Sequence, residues 1–210
     1  FIFNYQIELV PYCVLISLVA DFLDGFAARL TKSASNIGLQ LDSLADVVSF
    51  GVVPGAIIFQ LLFQKYETSD ALLSTNRMFI YSAPAFIITL FAALRLAKFN
   101  VDTRQTDGFI GLATPAATMF VVGLLLIFLN NSYGLASVIF TGKVLYGTIA
   151  LLAVLMIAEI PMFSFKFKNY GLAHNKVRYL FIILSVVLLA TLKFAAISLI
   201  IILYIIVSVI

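Results

Sequence analysis

Residues Asp21 to Asp46 read DFLDGFAARLTKSASNIGLQLDSLAD. They set four aspartates, Asp21, Asp24, Asp42 and Asp46, into a chain that is 63% hydrophobic, 11% charged and of mean hydropathy +1.12. Such a composition excludes an ordinary soluble domain. A charged side chain near a bilayer centre costs about 2.5–3.5 kcal/mol on insertion scales, so the acids need compensation. Asp21 and Asp24 are spaced i, i+3 and Asp42 and Asp46 i, i+4, which puts each pair on one helix face. Two such faces opposed crowd four carboxylates together, a grouping that calls for bound cations or retained protons. Oxygen-only ligand sets select hard divalent ions, Mg2+ or Mn2+ first.

Working outward, the apolar stretches are 8–30, 39–63, 77–98, 110–130, 142–162, 177–193 and 195–210. A membrane-crossing helix needs about 20 residues. The pattern predicts an all-α, polytopic integral membrane helix bundle of about seven spans, forming a single membrane-embedded domain over residues 1–210. The boundary between the last two spans falls at Thr191 to Phe194. Phe1 stands where an initiator Met is expected, inside an apolar run, so the reading also expects an N-terminal truncation and a further span upstream.

The single cysteine, Cys13, excludes a disulfide framework and a thiolate metal site, and its apolar neighbours make it a small buried hydrophobe. His174 is the only histidine, which removes most hydrolase triads. If every stretch crosses, one set of loops carries or adjoins Arg29, Lys32, Arg95, Lys98, Arg104, Lys166, Lys168, Lys176 and Arg178. The other set has only Lys65, Arg77, Lys143 and Lys193. That asymmetry places the first set, including the turn between the acidic pairs, in the cytoplasm. The basic cluster from Lys166 to Arg178 reads as a topology signal or as a contact for anionic headgroups. Tyr66, Tyr81, Tyr133, Tyr170 and Tyr179 fall near span ends, as an interfacial belt requires.

Around the acids, Gly25 follows Asp24 and Ala28 lies one turn later. Small residues there let a ligand approach the backbone, or let helices pack tightly. Arg29 reads as a membrane anchor or as a guanidinium for phosphate oxygens. Gly38 opens the second acidic helix, where an N-terminus attracts anions. Gly51, Pro54 and Gly55 predict close helix packing with a proline kink. A carboxylate cage with two metals, a nearby arginine and cytoplasmic access suits phosphoryl transfer involving a diphosphate. An acid not fully engaged by metal can take the nucleophile's proton.

Written out, the stretch has Asp21, Asp24-Gly25, Ala28-Arg29, Gly38, Asp42 and Asp46 at fixed spacing, which resembles the complete signature of the CDP-alcohol phosphatidyltransferase family. Three further stretches look like its phosphatidylserine synthase branch: SFGVVPG (Ser49 to Gly55), RLAKFN (Arg95 to Asn100) and FIGLATPAA (Phe109 to Ala117). Ala113 stands where that branch usually has proline. The resemblance implies CDP-diacylglycerol as lipid donor and L-serine as acceptor, giving phosphatidylserine and CMP in a single in-line displacement. It implies that Asp21, Asp24, Asp42 and Asp46 bind two divalent cations, Mg2+ or Mn2+, and that Asp46 is the catalytic general base. It implies further that Gly25, Ala28, Arg29 and Gly38 bind CDP-diacylglycerol, and that the protein is a homodimer in a prokaryotic plasma (inner) membrane with its active site facing the cytoplasm.

Serine is zwitterionic, so its carboxylate needs a cation; Arg95 and Lys98 are the candidates, with Asn100 beside them, and Thr114 can shape the same pocket. Two rivals remain at this stage. One is the same chemistry on glycerol 3-phosphate, inositol phosphate or a second lipid. The other is a cation-coupled transporter, whose intramembrane acids are more often dispersed over several spans.

Overall fold

The computed structural model describes residues 2–4, 6–32, 35–69, 72–102, 109–162, 171 and 175–209. Arg104, Lys166, Lys168, Tyr170 and His174, singled out above, lie outside the described residues. The chain folds as α1 (Val10–Thr31), α2 (Asn36–Val47), α3 (Val53–Ser69), α4 (Thr75–Ser82), α5 (Ile87–Val101), β1 (Phe109–Ile110), α6 (Thr114–Leu129), α7 (Ala136–Ile139), α8 (Gly142–Ile157), β2 (Pro161–Met162), α9 (Lys176–Leu192) and α10 (Ala195–Val209). Helix thus occupies every predicted apolar stretch, and the protein is an all-α membrane helix bundle. Three continuous helices, Ile7–Thr31, Asn36–Ser69 and Thr75–Val101, are long and apolar enough to cross a membrane; Thr114–Leu129, Gly142–Ile157 and Ala195–Val209 are shorter apolar helices.

The core lies where α3, α5, α6, α8 and α10 meet. Ile57, Ile58, Leu61, Leu62, Ile88, Leu125, Leu145 and Leu152 are fully buried there. Glycines set the closest approaches. A Cβ on Gly51 would lie 3.1 Å from Ala92 Cβ, and one on Gly55 2.8 Å from Thr89 Oγ1. One on Gly123 would lie 2.7 Å from the Ser198 backbone nitrogen. The Gly51–Gly55 spacing therefore serves helix packing, as small residues do in membranes.

The proline of that segment acts through a π-helical turn, Val48–Val52, which joins α2 to α3 with the Val53 N–H on Val48 O. Pro54 has no N–H, so Phe50 O loses its i+4 donor. Thr118 Oγ1 from α6 supplies one at 3.0 Å, and Thr89 Oγ1 from α5 donates to Gly51 O at 2.9 Å. Two hydroxyls from neighbouring helices thus satisfy the carbonyls that the irregular turn exposes.

Helix α8 is shorter than the predicted 142–162. It stops at Ile157, and residues 161–162 are extended, pairing antiparallel with β1 through Phe109–Met162 and Ile110–Pro161. Pro161 is the reason, since it lacks an amide hydrogen and disfavours α geometry at Ile160. Gly111, at φ +74°, closes the corner: its N–H donates to Ile160 O, while Leu112 N–H takes the otherwise orphaned Leu155 O, each at 2.9 Å. A Cβ at Gly111 would sit 2.6 Å from Met156 O.

This ribbon and the Lys98–Glu159 ion pair (3.2 Å) hold the ends of α5 and α8 together. At the opposite end Tyr66 and Tyr146 share a 3.0 Å hydroxyl contact, and Tyr146 donates to Tyr81 O at 2.6 Å. Tyr133 donates to Thr191 O, bringing the end of α9 to that side. The chain turns there at Lys193 (φ 48°), inside the predicted 191–194 boundary, and α10 runs back toward the ribbon.

Candidate active site

The acidic helices are sparsely buried. In α1 only Val10 and Val14 are buried, so Cys13, expected inside, is exposed on the outer face of the helix, and in α2 no residue is buried. Lys32 ends α1 in the left-handed region (φ 53°), with its N–H on the Ala28 and Arg29 carbonyls. Ser35 starts α2 as an extended N-cap whose Oγ accepts the Gly38 N–H at 3.0 Å. That bond satisfies one of the four orphan donors of a helix N-terminus. A Cβ on Gly38 would lie 3.1 Å from Ser35 Oγ, so glycine keeps the cap uncrowded.

This reversal brings Asp21 of α1 against Asp42 and Asp46 of α2. One carboxylate oxygen from each lies within 4.8 Å of the others. Unit charges 4–5 Å apart repel by roughly 3–4 kcal/mol at an effective dielectric constant of 20. Opposite ligands of an octahedral Mg2+ stand about 4.2 Å apart, twice the usual metal–oxygen distance. The three aspartates therefore fit one hard divalent ion in both donor chemistry and spacing.

Asp24 is not part of that trio. With Gly25, Ala28, Ser35, Gly38 and Asp42 it lines a cavity of about 480 Å³ in the cleft between α1 and α2. Among the described residues a Cβ on Gly25 would meet nothing within 4 Å, so no described helix packs against this glycine. Three of the four predicted donor-binding residues, Gly25, Ala28 and Gly38, share that cavity wall. Arg29 does not line it; its Nε donates to Gly25 O at 2.9 Å along its own helix.

Arg95 of α5 is 7% exposed, stands within electrostatic range of Asp46 and lies 5.4 Å from the Phe99 ring centroid. Its Nε has no hydrogen-bond partner among the described residues. Lys98 is already paired with Glu159, both side chains well exposed at 42% and 64%. Asn100 Nδ2 donates to Ser43 Oγ at 2.9 Å, fastening the end of α5 to the acidic helix. The sequence reading missed Ser35 and the Asn100–Ser43 contact. A serine just before an apolar periodic segment is a legible cap signal; the interhelical contact has no sequence signature.

The acidic cleft lies within the part of the chain that known proteins match. The pattern of the CDP-alcohol phosphatidyltransferase family matches residues 1–158, and the chain belongs to that family. A CDP-diacylglycerol–serine O-phosphatidyltransferase of Helicobacter pylori is 37% identical over 171 residues, 80% of this chain and 66% of that protein. One of Methanocaldococcus jannaschii is 40% identical over 126 residues, 60% of this chain and 54% of its own. One of Saccharomyces cerevisiae is 34% identical over 146 residues, 62% of this chain and 48% of its own. The chain thus spans a little under two thirds of the Helicobacter relative and about half of the other two.

Proposed function

We propose that this protein transfers a phosphatidyl group from CDP-diacylglycerol to L-serine, releasing phosphatidylserine and CMP. The observation that carries the reading is the opposed acidic pair beside a cavity whose wall holds Gly25, Ala28 and Gly38. The named activity of the relatives supports the choice of acceptor. Asp21, Asp42 and Asp46, with Asp24 on the cavity side, would hold two divalent cations, Mg2+ or Mn2+. When bound, these ions neutralise diphosphate charge and stabilise the attacking and leaving oxygens.

The chain's own residues do the rest. Gly25, Ala28 and Gly38 leave room for the cytidine diphosphate against the helix backbones. Arg29, at the rim, supplies a guanidinium that can exchange its Gly25 carbonyl for phosphate oxygens. Asp46 takes the proton of the serine hydroxyl as that oxygen forms its bond to the phosphorus bearing diacylglycerol. The phosphorus–oxygen bond to CMP breaks in the same displacement, so no covalent enzyme intermediate forms. Arg95 faces the serine carboxylate, and Lys98 gives outer electrostatic support. The basic-residue asymmetry supports a site that faces the cytoplasm; a prokaryotic plasma membrane and a homodimeric enzyme rest on the family resemblance alone.

The test is an acceptor panel. Purified full-length protein receives CDP-diacylglycerol, Mg2+ or Mn2+, and either L-serine, glycerol 3-phosphate or inositol phosphate, and CMP is measured. Release with serine alone is expected. Release with another acceptor would replace serine, and none with any would return the site to a cation-transport role.

A further inference from the structure

Apolar burial does little to fix how the acidic helix is turned. No residue of α2 is buried, and Leu39, Leu41 and Leu44 are exposed. Lipid tails receive leucine as well as another helix does, so these side chains leave the rotation of α2 about its axis undetermined. On its α1 side the helix borders the cavity of about 480 Å³, through Leu39, Leu41, Asp42 and Ala45. Yet rotation matters to the carboxylates. A carboxylate about 5 Å from a helix axis moves about 0.9 Å for each 10° of turn. A bound Mg2+ demands oxygens at about 2.1 Å in near-ideal octahedral geometry.

Helix α5 supplies what lipid does not. Asn100 Nδ2 donates to Ser43 Oγ at 2.9 Å, and the Ser43 hydroxyl in turn donates to Leu39 O at 3.0 Å. The hydroxyl proton is thereby committed to its own helix, and the oxygen is left to accept from Asn100. Further along the same continuous helix, Gly51 O accepts from Thr89 Oγ1 at 2.9 Å, and Gly51 lies close against Ala92. Ser43 and Gly51 stand on either side of Asp46 in the chain, and both are fastened to α5. Arg95, which lies between Ala92 and Asn100 on α5, is accordingly within electrostatic range of Asp46. The Gly51 fastening sits in the core at the π turn. The Asn100 bond holds the exposed part of α2, beside Asp42.

We propose that Asn100, acting through Ser43, is a positioning residue of the metal centre. It sets the turn and height of α2, and with them the approach of Asp42 and Asp46 to Asp21. The inference rests on the metal-cage reading above and adds to it a residue that acts through a neighbour, not as a ligand.

The experiment measures Mn2+ binding by the full-length protein without substrates, from the loss of the free-ion electron paramagnetic resonance signal. Wild type is compared with Asn100→Ala, Ser43→Ala, Ser43→Thr and the double alanine variant. Each single alanine should weaken Mn2+ binding about tenfold, the lower end for groups that orient metal ligands. The double variant should bind no worse than either, because both changes break one contact. Ser43→Thr keeps the hydroxyl and should stay within about twofold of wild type. Alanine is the stronger helix former, so a role in helix stability alone would leave Ser43→Ala unimpaired. Affinity within about twofold of wild type in both single alanine variants overturns the proposal, as do additive losses in the double variant. A loss in Ser43→Thr as large as that in Ser43→Ala overturns it too. If Asn100→Ala lowers the melting temperature, Ser43→Ala decides by the same affinity criterion. Wild-type protein that binds no Mn2+ overturns the metal-cage reading itself, a failure separate from unchanged affinity in variants of a protein that binds it.

Discussion

Glycine does opposite work in two regions of this molecule. In the core, Gly51, Gly55 and Gly123 exist because another helix occupies the space a side chain would need. In the acidic cleft, Gly25 has nothing among the described residues within 4 Å of its missing Cβ and lines a cavity of about 480 Å³. The two regions are joined by one continuous helix, Asn36–Ser69, whose exposed first third carries Asp42 and Asp46 and whose later part is core. The difference teaches where stability and function are stored. The core tolerates no added volume, whereas the cleft is kept open and loosely supported so that ligand can fill it.

Four substitutions break or sharpen that comparison. Asp46→Asn removes the proposed base while preserving shape. Turnover should fall by about 10³-fold, within the usual range for general-base loss, with CDP-diacylglycerol binding retained. Activity within tenfold of wild type in the CMP assay would remove Asp46 from that role. Gly123→Leu forces a side chain into the α6–α10 contact and should cost about 3 kcal/mol. For a chain of this size that corresponds to a melting-temperature loss of roughly 6–12 °C, read by thermal unfolding in detergent. Gly25→Leu should do the reverse: the donor KM rises by at least about tenfold while the melting temperature stays put. A stability loss there would erase the contrast between cleft and core.

The smallest effect is expected at Lys98→Ala. Its ion pair with Glu159 is exposed, and pairs of that kind are worth about 0.2–1 kcal/mol. The serine KM should move by less than about threefold. A larger shift would make Lys98 a direct acceptor contact and displace Arg95 from that part.

What was legible in the sequence follows from rarity. Acids are scarce in an apolar chain, so Asp21, Asp42 and Asp46 announced themselves, and their spacing foretold a shared face. The helices were legible because long apolar runs have few alternatives in a membrane. The partition of the acids was not legible. Spacing alone made Asp24 equivalent to Asp21, whereas the packing of α1 on α2 turns Asp24 to the cavity. Pro54 marked an irregularity, but the π turn depends on hydroxyls from Thr89 and Thr118, residues distant in sequence. The end of α8 was overrun because apolar residues resume at Ile160 beyond the single charge of Glu159, and only Pro161 and Gly111 together make the ribbon.

The central claim is that the acidic cleft carries out metal-dependent phosphatidyl transfer to serine. Its most direct measurement follows CMP and serine-labelled lipid together from CDP-diacylglycerol and labelled L-serine, before and after chelation of divalent ions. The account predicts equal amounts of both products, their joint loss on chelation, and their return with Mg2+ or Mn2+. CMP without labelled lipid, or transfer that survives chelation, would contradict it.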